Sequence, residues 1–66
     1  MKLIMRSVFD NLRLNDQHHY DSDRCGDTEV VRIYRDDKLI AKKKRQKKKV
    51  QYFGIKGCEE FLTNNT

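Results

Sequence analysis

A stretch of eight residues that holds seven cations cannot be packed into a protein interior, and residues 42–49 of this chain, KKKRQKKK, are such a stretch. Any fold must carry this block out into solvent, and must do so with only 66 residues. The block also sets the charge of the molecule. The sequence has 15 basic and 10 acidic residues, a net of +5; without the 7 basic residues of the block, 8 face 10, a net of -2. A slightly acidic body therefore carries one concentrated positive patch, of the kind a polyanion binds.

Sixty-six residues make a single domain, residues 1–66, which buries only ~60% of its unfolded surface and is thinly stable. Charged residues are 38% of the chain and hydrophobic ones 36%, and the apolar residues cluster instead of scattering. Three Phe and three Tyr supply volume for a core. The two cysteines, Cys25 and Cys58, are expected as reduced thiols, because stapled secreted scaffolds usually carry four or more. The apolar start, MKLIMRSVF, is interrupted by Arg6, Asp10 and Arg13 and has no export-signal core. No stretch approaches the ~20 apolar residues of a membrane span. The expected setting is intracellular and cytoplasmic, or nuclear in a eukaryote. Asn64-Asn65-Thr66 spells a glycosylation sequon, discounted here as a terminal tail without an export signal.

Met5, Val8, Phe9 and Leu12 share one helical face, while Leu3, Met5 and Phe9 would share a strand face. Helix is the expectation for residues 2–14. Residues 15–28, NDQHHYDSDRCGDT, read as a polar loop. Glu29 to Arg35, EVVRIYR, is the clearest strand, with β-branched and aromatic residues in alternation. A turn at Asp36-Asp37 returns the chain through Lys38 to Lys44, pairing Tyr34 with Leu39, Ile33 with Ile40 and Glu29 with Lys44. A third strand runs from Lys49 to Ile55. Cys58, Phe61 and Leu62 then form the inner face of a short helix, with Glu59 and Glu60 in its first turn. The expected fold is α+β: a three-stranded antiparallel sheet with an N-terminal helix and a short C-terminal helix. The alternative is a small all-β barrel with residues 2–9 as its first strand. A strand face left without a cover would be compatible with a homodimer.

The block itself is expected either as the tip of a hairpin or as a loop between shorter strands. Six of its seven cations are lysines, hydrated point charges that track a phosphate backbone without reading sequence. The candidate nucleic-acid-binding residues are Lys42, Lys43, Lys44, Arg45, Lys47, Lys48 and Lys49, with Tyr52 as an aromatic that could stack a base. Phe53 follows it directly, and at least one of the two is expected in the core. The run resembles monopartite nuclear localisation signals and the basic segments of transactivators; the resemblance covers these eight residues and implies trafficking or polyanion binding, nothing about fold. A solvated loop, or an edge strand guarded by lysines, is the plainer reading of such a run.

His18, His19, Asp21, Asp23 and Cys25 crowd one segment, but their spacing matches no structural zinc pattern. DSDRCGDTEVVR departs from the calcium-loop pattern at Cys25 and at Arg32, where a bidentate Glu is needed. Nothing fixes His18 or His19 toward Asp21 as a catalytic pair, so no catalytic residue, cofactor or metal is expected. The leading expectation is a small nonspecific nucleic-acid-binding protein, for DNA or RNA, that is not an enzyme. The alternative is a small regulator or inhibitor that binds an acidic surface of a larger protein or nucleoprotein complex.

Overall fold

Alternation of side chains runs through much more of this chain than its apolar residues reveal. A computed structural model describes residues 1–62. Its elements are strand β1 (Lys2–Leu3), helix α1 (Arg6–Leu14), strands β2 (His19–Cys25), β3 (Thr28–Arg35), β4 (Lys38–Gln46) and β5 (Lys49–Gly54), and a 3-10 turn, Cys58–Phe61. The five strands form one antiparallel sheet in the order β1-β5-β4-β3-β2. The expected frayed tail, Asn64 to Thr66, lies outside the described residues.

This corrects the expected three-stranded α+β fold: five strands and one short helix make a small, mostly β protein. The expected polar loop 15–28 is corrected too: half of it, His19–Cys25, is strand β2. Every β2 residue is exposed, because the strand lies at the sheet edge beyond the reach of α1. Such a strand has no buried side to leave an apolar alternation in the sequence. Its ladder to β3 holds it, reinforced by Arg32, whose guanidinium donates to Asp23 at 2.7 Å and to Asp21 at 3.4 Å. The hydrogen bond to Asp23, the stronger of the two, pushes the Arg32 guanidinium further above its ordinary range.

The first segment splits into both of its readings. Lys2 and Leu3 pair with Gly54 and Phe53, and a helix follows from Arg6. Met5 is the residue before that helix and is 70% exposed, so it leaves the apolar face that Val8, Phe9 and Leu12 keep. The expected C-terminal helix is a 3-10 turn of four residues, entered through Gly57 at φ 81°. The sheet is open, with β1 and β2 on opposite edges, so it does not close into the alternative barrel.

The β3–β4 turn lies where expected, and Tyr34 does face Leu39. Beyond that pair a bulge intervenes: Ile33 faces Ala41, and Glu29 faces Arg45 instead of Lys44. The extra residue, Ile40, lets both Ile40 and Ala41 bury completely, a gain that outweighs the lost ladder regularity. The core is Phe9, Leu12, Ile33, Ile40, Ala41 and Cys58, with Val31, Tyr52 and Ile55 packed at its margin.

One polar group joins this core. His18 is buried, and its Nδ1–H donates to the Leu12 carbonyl at 2.8 Å. Arg35 Nη1–H donates to its Nε2 at 3.0 Å, which fixes the neutral Nδ1–H tautomer. Arg35 also lies over the Phe61 ring, 4.9 Å from its centroid, and donates to Gln17. His18 is thus a tether between α1, β3 and the 3-10 turn.

Candidate nucleic-acid interface

Cross-strand partners share a face of the sheet, so the register sorts the basic block residue by residue. Ala41 pairs with Ile33 and Gly54 on the buried side under α1. Two residues on, Lys43 pairs with Tyr52, and Arg45 with Val50, on that same side. Lys42, paired with Arg32 and Phe53, and Lys44, paired with Val30 and Gln51, point to the opposite side. No helix among the described residues covers that side; Val30, Tyr34 and Phe53 on it take no part in the core cluster. Lys47 and Lys48 form the two-residue turn, and Lys49 starts β5. The block therefore forms the end of the β4–β5 hairpin, not a separate loop. Most of it is strand, with cations on both faces and two at the turn.

The tip is joined to its neighbour by a backbone hydrogen bond. The Lys47 backbone N–H donates to the Asp27 carbonyl at 3.2 Å, tying the β4–β5 turn to the neighbouring β2–β3 turn. Lys47 adopts φ 55°, a left-handed conformation that disfavours residues with a Cβ by roughly 1–2 kcal/mol. Glycine would suit that position better, and a lysine there keeps a cation at the outermost point of the block.

Among the described residues, Lys42, Lys43, Lys44, Lys47, Lys48 and Lys49 make no ion pair. Arg45 does, with Glu29 at a loose 4.0 Å. Four acidic residues pair with cations outside the block, while Glu29 reaches Arg45 and Asp27 lies in the turn beside Lys47. Asp21 and Asp23 hold Arg32, Asp10 pairs with Arg6, and Glu59 with Lys2. The block thus keeps an excess of positive charge, with six lysines outside any ion pair among the described residues.

The expected aromatic, Tyr52, faces the other way. Its ring lies 5.4 Å from that of Phe9, tilted by 52°, in the margin of the core. Phe53 is the aromatic on the open side, with the Lys42 ammonium 5.6 Å from its ring centroid. The two residues differ by one step along the strand, so their fates rest on register, which the pairing with Ala41 and Gly54 decides. Arg32 joins the same row and was not singled out from sequence; its sign was in the alternation of EVVRIYR, where it opposes Val31 and Ile33.

No group of three or more His, Cys, Asp or Glu side chains that could hold a metal ion occurs among the described residues. His18 is locked in the core, His19 and Cys25 lie at opposite ends of β2, and Cys58 is buried beneath β5 with its thiol pushed up by burial. Both cysteines are free thiols. No helix among the described residues is long and apolar enough to cross a membrane. Compared with protein-family models, with curated proteins and with solved structures, the chain matches none of them.

Proposed function

We propose that this protein binds nucleic acid through the phosphate backbone, using the Lys42–Lys49 segment, with little sequence specificity. The observation that carries the reading is the set of six lysines that make no ion pair among the described residues, on a strand-turn-strand. Ordered cations bind at a smaller entropic cost than cations on a floppy loop, because the backbone is already fixed. The left-handed Lys47 adds support, since residues that break a local rule tend to gather at functional positions. The lysines offer no bidentate fork for base edges, and Arg45 is shared with Glu29, so the reading carries no sequence code.

Fluorescence-anisotropy titrations of labelled DNA and RNA across a range of salt test it. Each phosphate neutralised adds ~0.7 to the salt slope on single strands and ~0.9 on duplex DNA, so four or five engaged lysines give a slope of roughly 3 to 4.5. Replacing the six lysines by glutamine removes binding. Folded protein that binds no nucleic acid near physiological salt sinks the proposal.

A second reading, an acidic protein partner, is favoured by one observation. Leu3 and Met5, 66% and 70% exposed, border an open cleft of about 540 Å³ that Ile4, Val8, Lys2 and Glu59 also line. An apolar cleft has no use for phosphate. Under this reading a stoichiometric complex would weaken on Leu3→Ser or Met5→Ser as much as on loss of the lysines.

A further inference from the structure

We infer that the nucleic acid recognised is single-stranded and lies on the open face of the sheet, along β4 and β5, with a base stacked on Phe53. This rests on the nucleic-acid reading above and narrows its substrate class.

The shape of the tip argues against duplex. A two-stranded β-ribbon fits the ~12 Å major groove. Here the Lys47–Asp27 hydrogen bond sets a second hairpin beside the first, so the tip is four strands wide. Three strand spacings make ~14 Å between the outer strand axes before side chains are added. Such a tip is too broad to enter the groove as a ribbon, and it keeps the lysines from the base edges of a duplex.

The open face offers what a single strand needs. Lys42 and Lys44 stand on it one strand repeat apart, and Phe53 lies directly beside Lys42. Unpaired bases expose their ring faces, and an aromatic side chain beside a line of cations binds base and backbone together. Lys42 covers the Phe53 ring in the free protein, a contact that can be exchanged for a base while the ammonium moves to a phosphate. Charge fixes the path. Asp21 and Asp23 face the same side from β2, so phosphate is repelled from that edge and kept over β4 and β5. From the turn at Lys48 to Phe53 the track spans five residue steps, ~17 Å, which limits the contact to a short run of nucleotides.

The test compares four fluorescein-labelled DNA probes by anisotropy: a dT 12-mer, a mixed-sequence single strand, the same length made abasic, and a duplex. An RNA strand of the mixed sequence is added to identify the sugar. The abasic strand keeps the phosphates and removes the stacking partner without altering the protein. The expected result is about tenfold weaker binding of the abasic strand than of the base-bearing ones. Phe53→Leu removes that difference, with the fold checked by circular dichroism. Equal affinity for base-bearing and abasic strands overturns the stacking inference while leaving backbone binding in place. Binding to none of the probes overturns the nucleic-acid reading itself.

Discussion

Gly54 shows how closely the parts of this small core approach one another. A Cβ added there would meet Cys58 Sγ at 2.7 Å and Ile4 Cγ2 at 3.1 Å. Both belong to groups held by the core or by β1, and neither is the loose end of a long chain. Gly54→Ala is therefore expected to lower stability by about 1–3 kcal/mol, read as a fall in the urea midpoint with unchanged slope. A domain of this size holds only roughly 3–10 kcal/mol in all, so the loss is a large fraction. An unchanged midpoint would mean that Cys58 retreats freely. The same neighbourhood separates the two thiols. Cys58 is fully buried and Cys25 exposed, so one thiol per chain should react promptly with a disulfide reagent and the second only in denaturant. Prompt reaction of both would contradict the packing around Gly54.

At the scale of the element, the turns are the informative pieces. Asp36 and Asp37 stand at φ 51° and 65°, left-handed at both central positions of the β3–β4 turn. This is the turn type that matches strand twist and prefers Asn-Gly. Replacing Asp36-Asp37 with Asn-Gly should stabilise the protein by about 0.5–1 kcal/mol, seen as a raised thermal midpoint. A lowered midpoint would mean that the two carboxylates make up for the backbone. The edge strand β1 makes a pH prediction. Lys2 donates to Glu59 at 2.9 Å, and that hydrogen bond holds Glu59 below its ordinary carboxylate range while Glu59 raises Lys2. A lowered acidic pKa stabilises the fold above the unfolded value near 4.5, and the gain is lost as pH falls through the folded value. The Lys2 contribution disappears only at the alkaline end, above its ordinary 10.5. The difference in thermal midpoint between the parent and Glu59→Gln should thus be small and present at neutral pH, and lost as the pH falls through the lowered folded value of Glu59. A difference that persists below that value would place the effect in packing.

These elements were unevenly legible. The β3 strand, its turn and the Tyr34–Leu39 pair could be read because Val30, Val31 and Ile33 carry a β signature and Asp-Asp breaks it. The bulge at Ile40 could not, because only the three-dimensional core reveals that burying both Ile40 and Ala41 is favourable. Strand β2 was invisible for the opposite reason: with nothing buried, its sequence resembles a loop, and its order comes from β3 and Arg32. At the candidate site, the cations announced themselves, but their division between two faces and the exchange of Tyr52 for Phe53 turned on register. Register is a tertiary property in a strand whose lysines carry no sign of which side is buried.

Taken as a whole, the molecule measures 38 × 21 × 20 Å, and its core sits toward one end. The helix and the 3-10 turn cover that end, and the hairpin tips extend past them. Truncating a core side chain such as Leu12 should cost about 2–5 kcal/mol and unfold much of the population, whereas truncating Lys48 should leave the fold intact and weaken binding. Urea melts paired with binding titrations check that separation; a Lys48→Ala variant that lost stability would join the two ends.

The basic block at one extremity and a remainder of net charge -2 concentrate the chain's positive charge at one end. Near a polyanion such a body rotates before it touches, tip foremost, so much of the orientational search is completed in flight. Capture should then be fast and acutely sensitive to ionic strength in its association rate, while escape, governed by the few contacts finally made, changes much less.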